Sequence, residues 1–245
     1  DYGGSSTFTI DSSTISGNRL TGDEKGAVTL FADVERYSEL EFKNSTISRN
    51  PSSGPVVEVS GDDLYASFTM RNSTMSGNTS SSSQSVMVVE NISYASLENN
   101  TFVDNNATLP SSVSGETAQV SVHNTDFYYY STEANVSGNA MTSANDKEML
   151  VGGARISSSA YYSSPDNYSV AAVLASNIME NGVTIDGNSS NSGEAPDMVD
   201  PQLGALSMQG GFTEVHMPLA GSPVIDGGDT NTRPDGRDQR GQSVV

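Results

Sequence analysis

Apolar and polar residues alternate strictly in three short stretches of the chain. Phe8 and Ile10 alternate with Thr9 and Asp11, Leu40 and Phe42 with Glu41 and Lys43, and Phe68 and Met70 with Thr69 and Arg71. A period of two predicts β-strands. Each stretch opens a recurring phrase, FTIDSSTISGN (8–18), LEFKNSTISRN (40–50) and FTMRNSTMSGN (68–78), with a looser copy in ASLENNTFVDN (95–105). Superposing the copies places Ile15, Ile47, Met75 and Phe102 at one position, at steps of 32, 28 and 27 residues. A weaker copy, VSVHNTDFYYY (120–130), puts Phe127 25 residues further on, and ASNIMENGV (175–183) puts Ile178 two such steps later.

Repetition at this period predicts a stacked-repeat architecture. Each phrase ends in Gly-Asn, Arg-Asn or Asp-Asn, residues that tolerate left-handed backbone and make tight corners. Second apolar runs lie between the copies at 26–32, 55–61, 85–91 and 118–124, bounded by Ser, Gly, Asn and Pro. Short strands, corner turns and a period near 27 predict an all-β fold, a right-handed parallel β-helix. Its roughly seven coils would stack at about 4.8 Å into a rod about 35 Å long. The expected division is coils over 1–183 and an irregular Gly/Pro/Asp-rich cap over 184–245 of the same domain, covering strand edges that would otherwise invite pairing. Ser222-Pro223 and Ile225-Asp226 read as a short edge strand within that cap.

The C-terminal stretch also carries a resemblance. The segment 197–241 contains Asp200-Pro201, Leu203-Gly204, Leu206, Gly210-Gly211, His216, Leu219, Gly221-Ser222-Pro223, Ile225-Asp226, Gly228-Asp229 and Asp238-Gln239-Arg240-Gly241. In this it resembles the C-terminal part of bacterial secreted β-helix proteins of the choice-of-anchor Q type, some with a CSLREA region, within the pectin-lyase-like superfold. The resemblance covers about a fifth of the chain and implies a secreted or cell-surface bacterial protein. The strand and anchoring tail that follow the Asp-Gln-Arg-Gly element in that family do not follow here, and the chain opens inside a rung. The expectation is therefore a chain trimmed at both ends.

Composition narrows the function classes. The 245 residues include 30 Asp and Glu against 11 Lys and Arg, a net charge of −19, which repels nucleic-acid phosphates and anionic lipid. There is no cysteine, hence no disulfide, thiolate metal site or cysteine nucleophile. Apolar residues are 34%, as a thin core column requires, and no apolar run is long enough for a transmembrane helix.

Candidate chemistry is sparse. GDD (61–63) and NTD (124–126) look like two polygalacturonase elements, but in reversed order and without their Gly-His-Gly and Arg-Ile-Lys companions, so they read as corner turns. Lys147 and Arg155 are isolated as lyase bases, and His123 and His216 form no catalytic motif. Asp226, Asp229, Asp235 and Asp238 offer hard oxygen ligands for a structural calcium; no other cofactor is expected. Tyr128, Tyr130 and Tyr161 are candidates for stacking a ligand. Asn-x-Ser/Thr occurs at Asn44, Asn72, Asn78, Asn91, Asn99, Asn106, Asn135, Asn167 and Asn188, in keeping with turn and ladder roles for Asn. The expected function is a non-catalytic extracellular or cell-surface scaffold in adhesion, matrix or filament assembly. Its partners would be further copies end to end, surface glycans or surface proteins. The alternative is a polysaccharide-binding or polysaccharide-degrading β-helix protein.

Overall fold

A computed structural model describes residues 6–20, 38–61, 66–83, 85–111, 113–123, 132–137, 139–151, 170–185, 189–225, 227 and 236–243. Among these, every regular element is a strand, and nearly all pair in parallel. The first sheet stacks Thr7–Asp11, Glu39–Lys43, Ser67–Arg71, Tyr94–Glu98, Thr132–Ser137, Val170–Ala175 and Ser190–Asn191. The second stacks Thr14–Ser16, Thr46–Ser48, Thr74–Ser76, Thr101–Val103, Ala140–Thr142 and Ile178–Met179. The third stacks Val57–Ser60, Ser85–Glu90, Ala118–His123, Lys147–Val151 and Val183–Ile185. The chain visits the three sheets in rotation and makes about four full turns between Glu39 and Val170, a parallel β-solenoid.

Alternation decides which side chains enter the column. One first-sheet row runs Leu40, Phe68, Ala95, Ala134, Ala172, and the next runs Phe42, Met70, Leu97, Val136, Leu174. The second sheet contributes Ile15, Ile47, Met75 and Phe102 in register, as the repeated phrase predicts. The third contributes Val57, Met87, Val120, Met149 and, one residue pair along, Val59, Val89, Val122, Val151. Stacked apolar rows that exclude water are the main stabilising term of such a rod.

Three expectations are corrected. The coil after Phe102 places Met141 in its row, a step of 39 residues, so Phe127 is not the next rung and itself lies outside the described residues. Two coils on, the inward residue is Met179 and not Ile178, which pairs with Ala140. The segment 223–225 forms turns in place of the edge strand expected around Ser222 to Asp226.

The corners explain the wording of the phrase. Asn44, Asn72 and Asn99, with Ser12 and Ser176, follow first-sheet strands with positive φ between 46° and 52°. Gly17, Arg49, Gly77 and Asp104 likewise take positive φ, between 54° and 69°, after second-sheet strands. Asn and Gly tolerate this left-handed conformation, which turns the chain sharply without breaking either flanking strand.

Just past those corners run two columns of buried polar side chains. In the first, Asn50 Nδ2 donates to Asn78 Oδ1 at 2.9 Å, Asn78 Nδ2 to Asn105 Oδ1 at 2.7 Å, and Asn105 Nδ2 to Gln119 Oε1 at 2.7 Å. Asn18 starts the column, and Gln119 Nε2 ends it by donating to Glu148 at 2.6 Å. Each amide also donates to a backbone carbonyl: Asn50 to Ile15, Asn78 to Ile47, Asn105 to Met75 and Gln119 to Phe102. In the second column, backbone amides donate to side chains one coil on, through Ser13, Ser45, Ser73, Asn100, Asn139 and Asn177. These bonds satisfy groups that would otherwise be buried without partners, so they fix the register of successive coils as well as stabilising them.

Candidate functional site

The outer face of the second sheet presents Thr and Ser from the repeated Thr-x-Ser: Thr46 and Ser48, then Thr74 and Ser76. The chain from about residue 197 returns along this face as a strap. It leaves the last coil through a bridge of Asp197 to Ile178 and forms a small antiparallel pair, Ser207–Met208 with Glu214–Val215. Gln239 is its central clip. Its Nε2 lies 2.9 Å from Thr213 Oγ1, 3.0 Å from Thr46 Oγ1 and 3.2 Å from the Ser45 carbonyl, and its Oε1 accepts from Thr74 Oγ1 at 2.7 Å. Thr46 in turn donates to the Glu214 carbonyl at 2.7 Å. Gly211 is required under this clip, because a Cβ there would sit 2.7 Å from Arg240 Cα. The Arg49–Glu214 ion pair at 3.0 Å is largely exposed and adds little. Gln239→Ala removes the clip while leaving the coils intact, so the strap should be cut by protease markedly faster than in the parent chain. Mass mapping of the first cleavage sites checks this.

His216 is the second pin. Its Nδ1 lies 2.6 Å from the Gly204 carbonyl and its Nε2 2.8 Å from Ser76 Oγ. A carbonyl only accepts, so Nδ1 carries the proton and Nε2 accepts from the serine. That is the tautomer a serine nucleophile needs. Ser76 is 6% exposed, His216 borders the adjoining groove, and their bond pins the strap to the second sheet. Burial lowers the imidazole's pKa, against the raising effects of the Gly204 hydrogen bond and of nearby Asp104 and Glu214. A depressed folded-state value means that His216 supports the fold above the ordinary histidine range of about 6.5, and that this support is lost as pH falls through the folded value. The thermal midpoint of the native chain should therefore fall more steeply on acidification below neutrality than that of His216→Gln, and paired melting curves across that range check it.

Between the strap and the asparagine corners lies a groove of about 490 Å³. One wall is Asn72, Asn99, Asn100 and Thr101; the other is Leu203, Met217, Pro218 and Ile225, with Arg237 to Arg240 alongside. Asp238 closes its own loop, its Oδ1 accepting from the Arg240 and Gln242 amides at 2.9 Å each and its Oδ2 from Arg240 Nε at 2.7 Å. The groove therefore offers amide and hydroxyl groups facing apolar surface, a lining that suits binding a polar, partly apolar ligand.

Of the residues singled out from the sequence, Asp226, Asp229, Asp235, Tyr128, Tyr130 and Tyr161 lie outside the described residues, as do Asp62, Asp63, Arg155 and 124–126. Asp238 is described and engaged as above. Asn78, in one of the Asn-x-Ser/Thr sites, is fully buried in the ladder. Among the described residues, no group of three His, Asp or Glu is placed to hold a metal ion, and no helix is long and apolar enough to cross a membrane.

Nothing in the repeat pattern singles out Glu148. It is fully buried, and its carboxylate accepts from Gln119 Nε2 at 2.6 Å and from Ser143 N, Ser143 Oγ and Asn181 Nδ2 at 3.1 Å each. Burial pushes its pKa up, more than these hydrogen bonds lower it. Only its residue type distinguishes it, a lone acidic residue in the apolar strand Lys147–Val151. It receives the last donor of the amide column and ties three coils together. Comparison with protein families, with curated proteins and with solved structures gives no match for this chain.

Proposed function

We propose that this chain is a non-catalytic scaffold, a right-handed β-helix rod acting outside the cell or on a bacterial surface in adhesion, matrix or filament assembly. The observation that carries the reading is the unbroken amide column from Asn18 to Glu148. Side chains able to bind or react are spent on tying coils together, which gives a stiff rod with a freely variable exterior. The strap invests Gln239, His216 and Thr213 in the same way, and two of these, His216 and Gln239, belong to the segment that resembles the choice-of-anchor Q pattern. A second reading, polysaccharide binding, is favoured by the groove of amides and apolar side chains beside Arg237.

Negative-stain electron microscopy together with incubation of the protein on a panel of polysaccharides tests both. Rods or filaments without release of sugar ends support the scaffold. Retention on a polysaccharide without cleavage supports the second reading. Cleavage of any of them overturns the non-catalytic assignment.

A further inference from the structure

The strap is held to the coils differently from the way the coils are held to one another. Among the described residues, hydrogen bonds between backbone groups join it to the coils only as far as Asp197, whose amide donates to the Asn177 carbonyl and whose carbonyl accepts from the Met179 amide, both at 2.9 Å. Beyond Asp197 such bonds stay within the strap, as from the Gly204 amide to the Met217 carbonyl at 2.8 Å and from the Leu219 amide to the Gln202 carbonyl at 2.9 Å. Side chains make the crossing to the second sheet, chiefly at Gln239, Thr46 and His216. Apolar burial adds little: of the described apolar side chains from Leu203 onward only Val215 is buried, while Met208, Phe212, Leu219 and Ile225 are exposed. The interface also holds a flaw. Ser48 shares an outward row with Ser76 and follows the pinned Thr46 by two residues, yet it has no exposed surface and its Oγ has no hydrogen-bond partner. A buried hydroxyl without a partner regains water when its cover lifts, which offsets part of what the pins contribute.

We propose that the strap is a cover that lifts from the second sheet as a unit in mild acid, with His216 as its latch, while the coils stay folded. Lifting bares the hydroxyl rows Thr46–Thr74 and Ser48–Ser76. Of the two bonds His216 makes, the one from Nδ1 to Gly204 lies inside the strap, and the one between Nε2 and Ser76 Oγ reaches the coils. In the neutral ring Nε2 accepts the serine proton; once protonated it presents a proton of its own, and the serine proton has to turn away within a nearly buried site. The charged groups around the ring are Asp104, from the corner after Thr101–Val103, and Glu214, in the strap and paired with Arg49. Arg237, Asp238 and Arg240 share the groove, where Asp238 holds Arg240 and Arg237 donates to the Gly241 carbonyl. Asp104 and Glu214 favour the imidazolium, but burial outweighs them while the strap is docked. Lifting returns the ring to water, so proton uptake favours the lifted state. The buried acid of the coils titrates in the opposite sense: Glu148, whose partners Gln119, Ser143 and Asn181 are all neutral, has a raised value, so falling pH relieves a cost there.

Hydrogen exchange read by mass spectrometry on the unmodified chain, corrected for the intrinsic rate at each pH, tests this between about pH 7.5 and about pH 5, the range in which a histidine titrates. Peptides from 203–219 should lose protection in acid, by at most about tenfold per pH unit, the limit for one proton, while peptides from 85–103 keep theirs. A buried thiol locates the opening, because the chain has no cysteine of its own. Ser48→Cys replaces a hydroxyl that makes no bond, and Val89→Cys places the same group in the core. Labelled with a disulfide reagent active in acid and compared with a free thiol at the same pH, the first should become reactive on acidification and the second stay protected. In His216→Gln the strap should exchange at one corrected rate across the range. Strap protection that does not change with pH in the parent overturns the proposal, as does a pH dependence that survives His216→Gln. Loss of protection at 85–103 together with the strap, or reaction of both thiols together, overturns it as well, since the chain would then be unfolding as a whole.

Discussion

Asn78→Ala lowers the unfolding free energy by about 3–5 kcal/mol, from a typical cost of roughly 1–3 kcal/mol for each buried polar group left without a partner. Asn78 sits in mid-column with no exposed surface. It accepts from the Asn50 amide at 3.1 Å and from Asn50 Nδ2 at 2.9 Å, and donates to the Ile47 carbonyl at 2.9 Å and to Asn105 Oδ1 at 2.7 Å. Alanine leaves a donor pair on one side and a carbonyl on the other facing a small void. Asn78→Asp separates volume from hydrogen bonding. It keeps the shape and the accepting oxygen, but opposes a carboxylate to the Ile47 carbonyl and to Asn105 Oδ1. It should therefore destabilise at least as much at neutral pH, and acidification that protonates it should recover part of the loss. Chemical denaturation of the three proteins at two pH values reads both effects.

Phe102→Ala costs a similar amount, about 3–5 kcal/mol, as for other large-to-small core substitutions. Phe102 is fully buried between Met75 and Met141 in adjacent coils. The two methionines are flexible and close part of the space, which places the expected value toward the lower end of that range. Phe102→Leu should recover most of it. The loss is local to one layer, yet the neighbouring coils gain their stability from stacking on it, so the chain is expected to unfold as one unit in denaturant, with an earlier midpoint and an unchanged slope.

The sequence showed the coils wherever large side chains marked the inward positions. Ile15, Ile47, Met75 and Phe102 fall in one row because the phrase around them recurs almost unchanged. The signal fails where the row shrinks: Phe68 is followed by Ala95, Ala134 and Ala172, so the strand Thr132–Ser137 lacks the contrast that announced its predecessors. The third-sheet strand Ala118–His123, with its own Val120 and Val122, then mimics the phrase and draws the expected repeat toward Phe127. At Ile178 and Met179 two apolar neighbours compete for the inward place. The link of Asn177 to Asn139 decides it, because a slip by one residue would reverse every face. The strap was legible as a change of composition, and its resemblance motif marked the residues that dock it. Their partners were not legible, since Gln239 meets Ser45 across 194 residues of chain and His216 meets Ser76 across 140.

The register of the coils is the claim on which the rest depends, and the absence of native cysteine makes it directly measurable. Lys43, Arg71 and Glu98 occupy one outward row of the first sheet in three successive coils. Adjacent positions there are about 4.8 Å apart and alternate ones about 10 Å, while a disulfide spans about 4.4–6.8 Å between Cα atoms. Under mild oxidation Arg71→Cys/Glu98→Cys should close an intramolecular disulfide in nearly every molecule, and Lys43→Cys/Glu98→Cys should stay reduced. Cross-linking of the second pair with failure of the first would contradict the stacked register and the scaffold built on it.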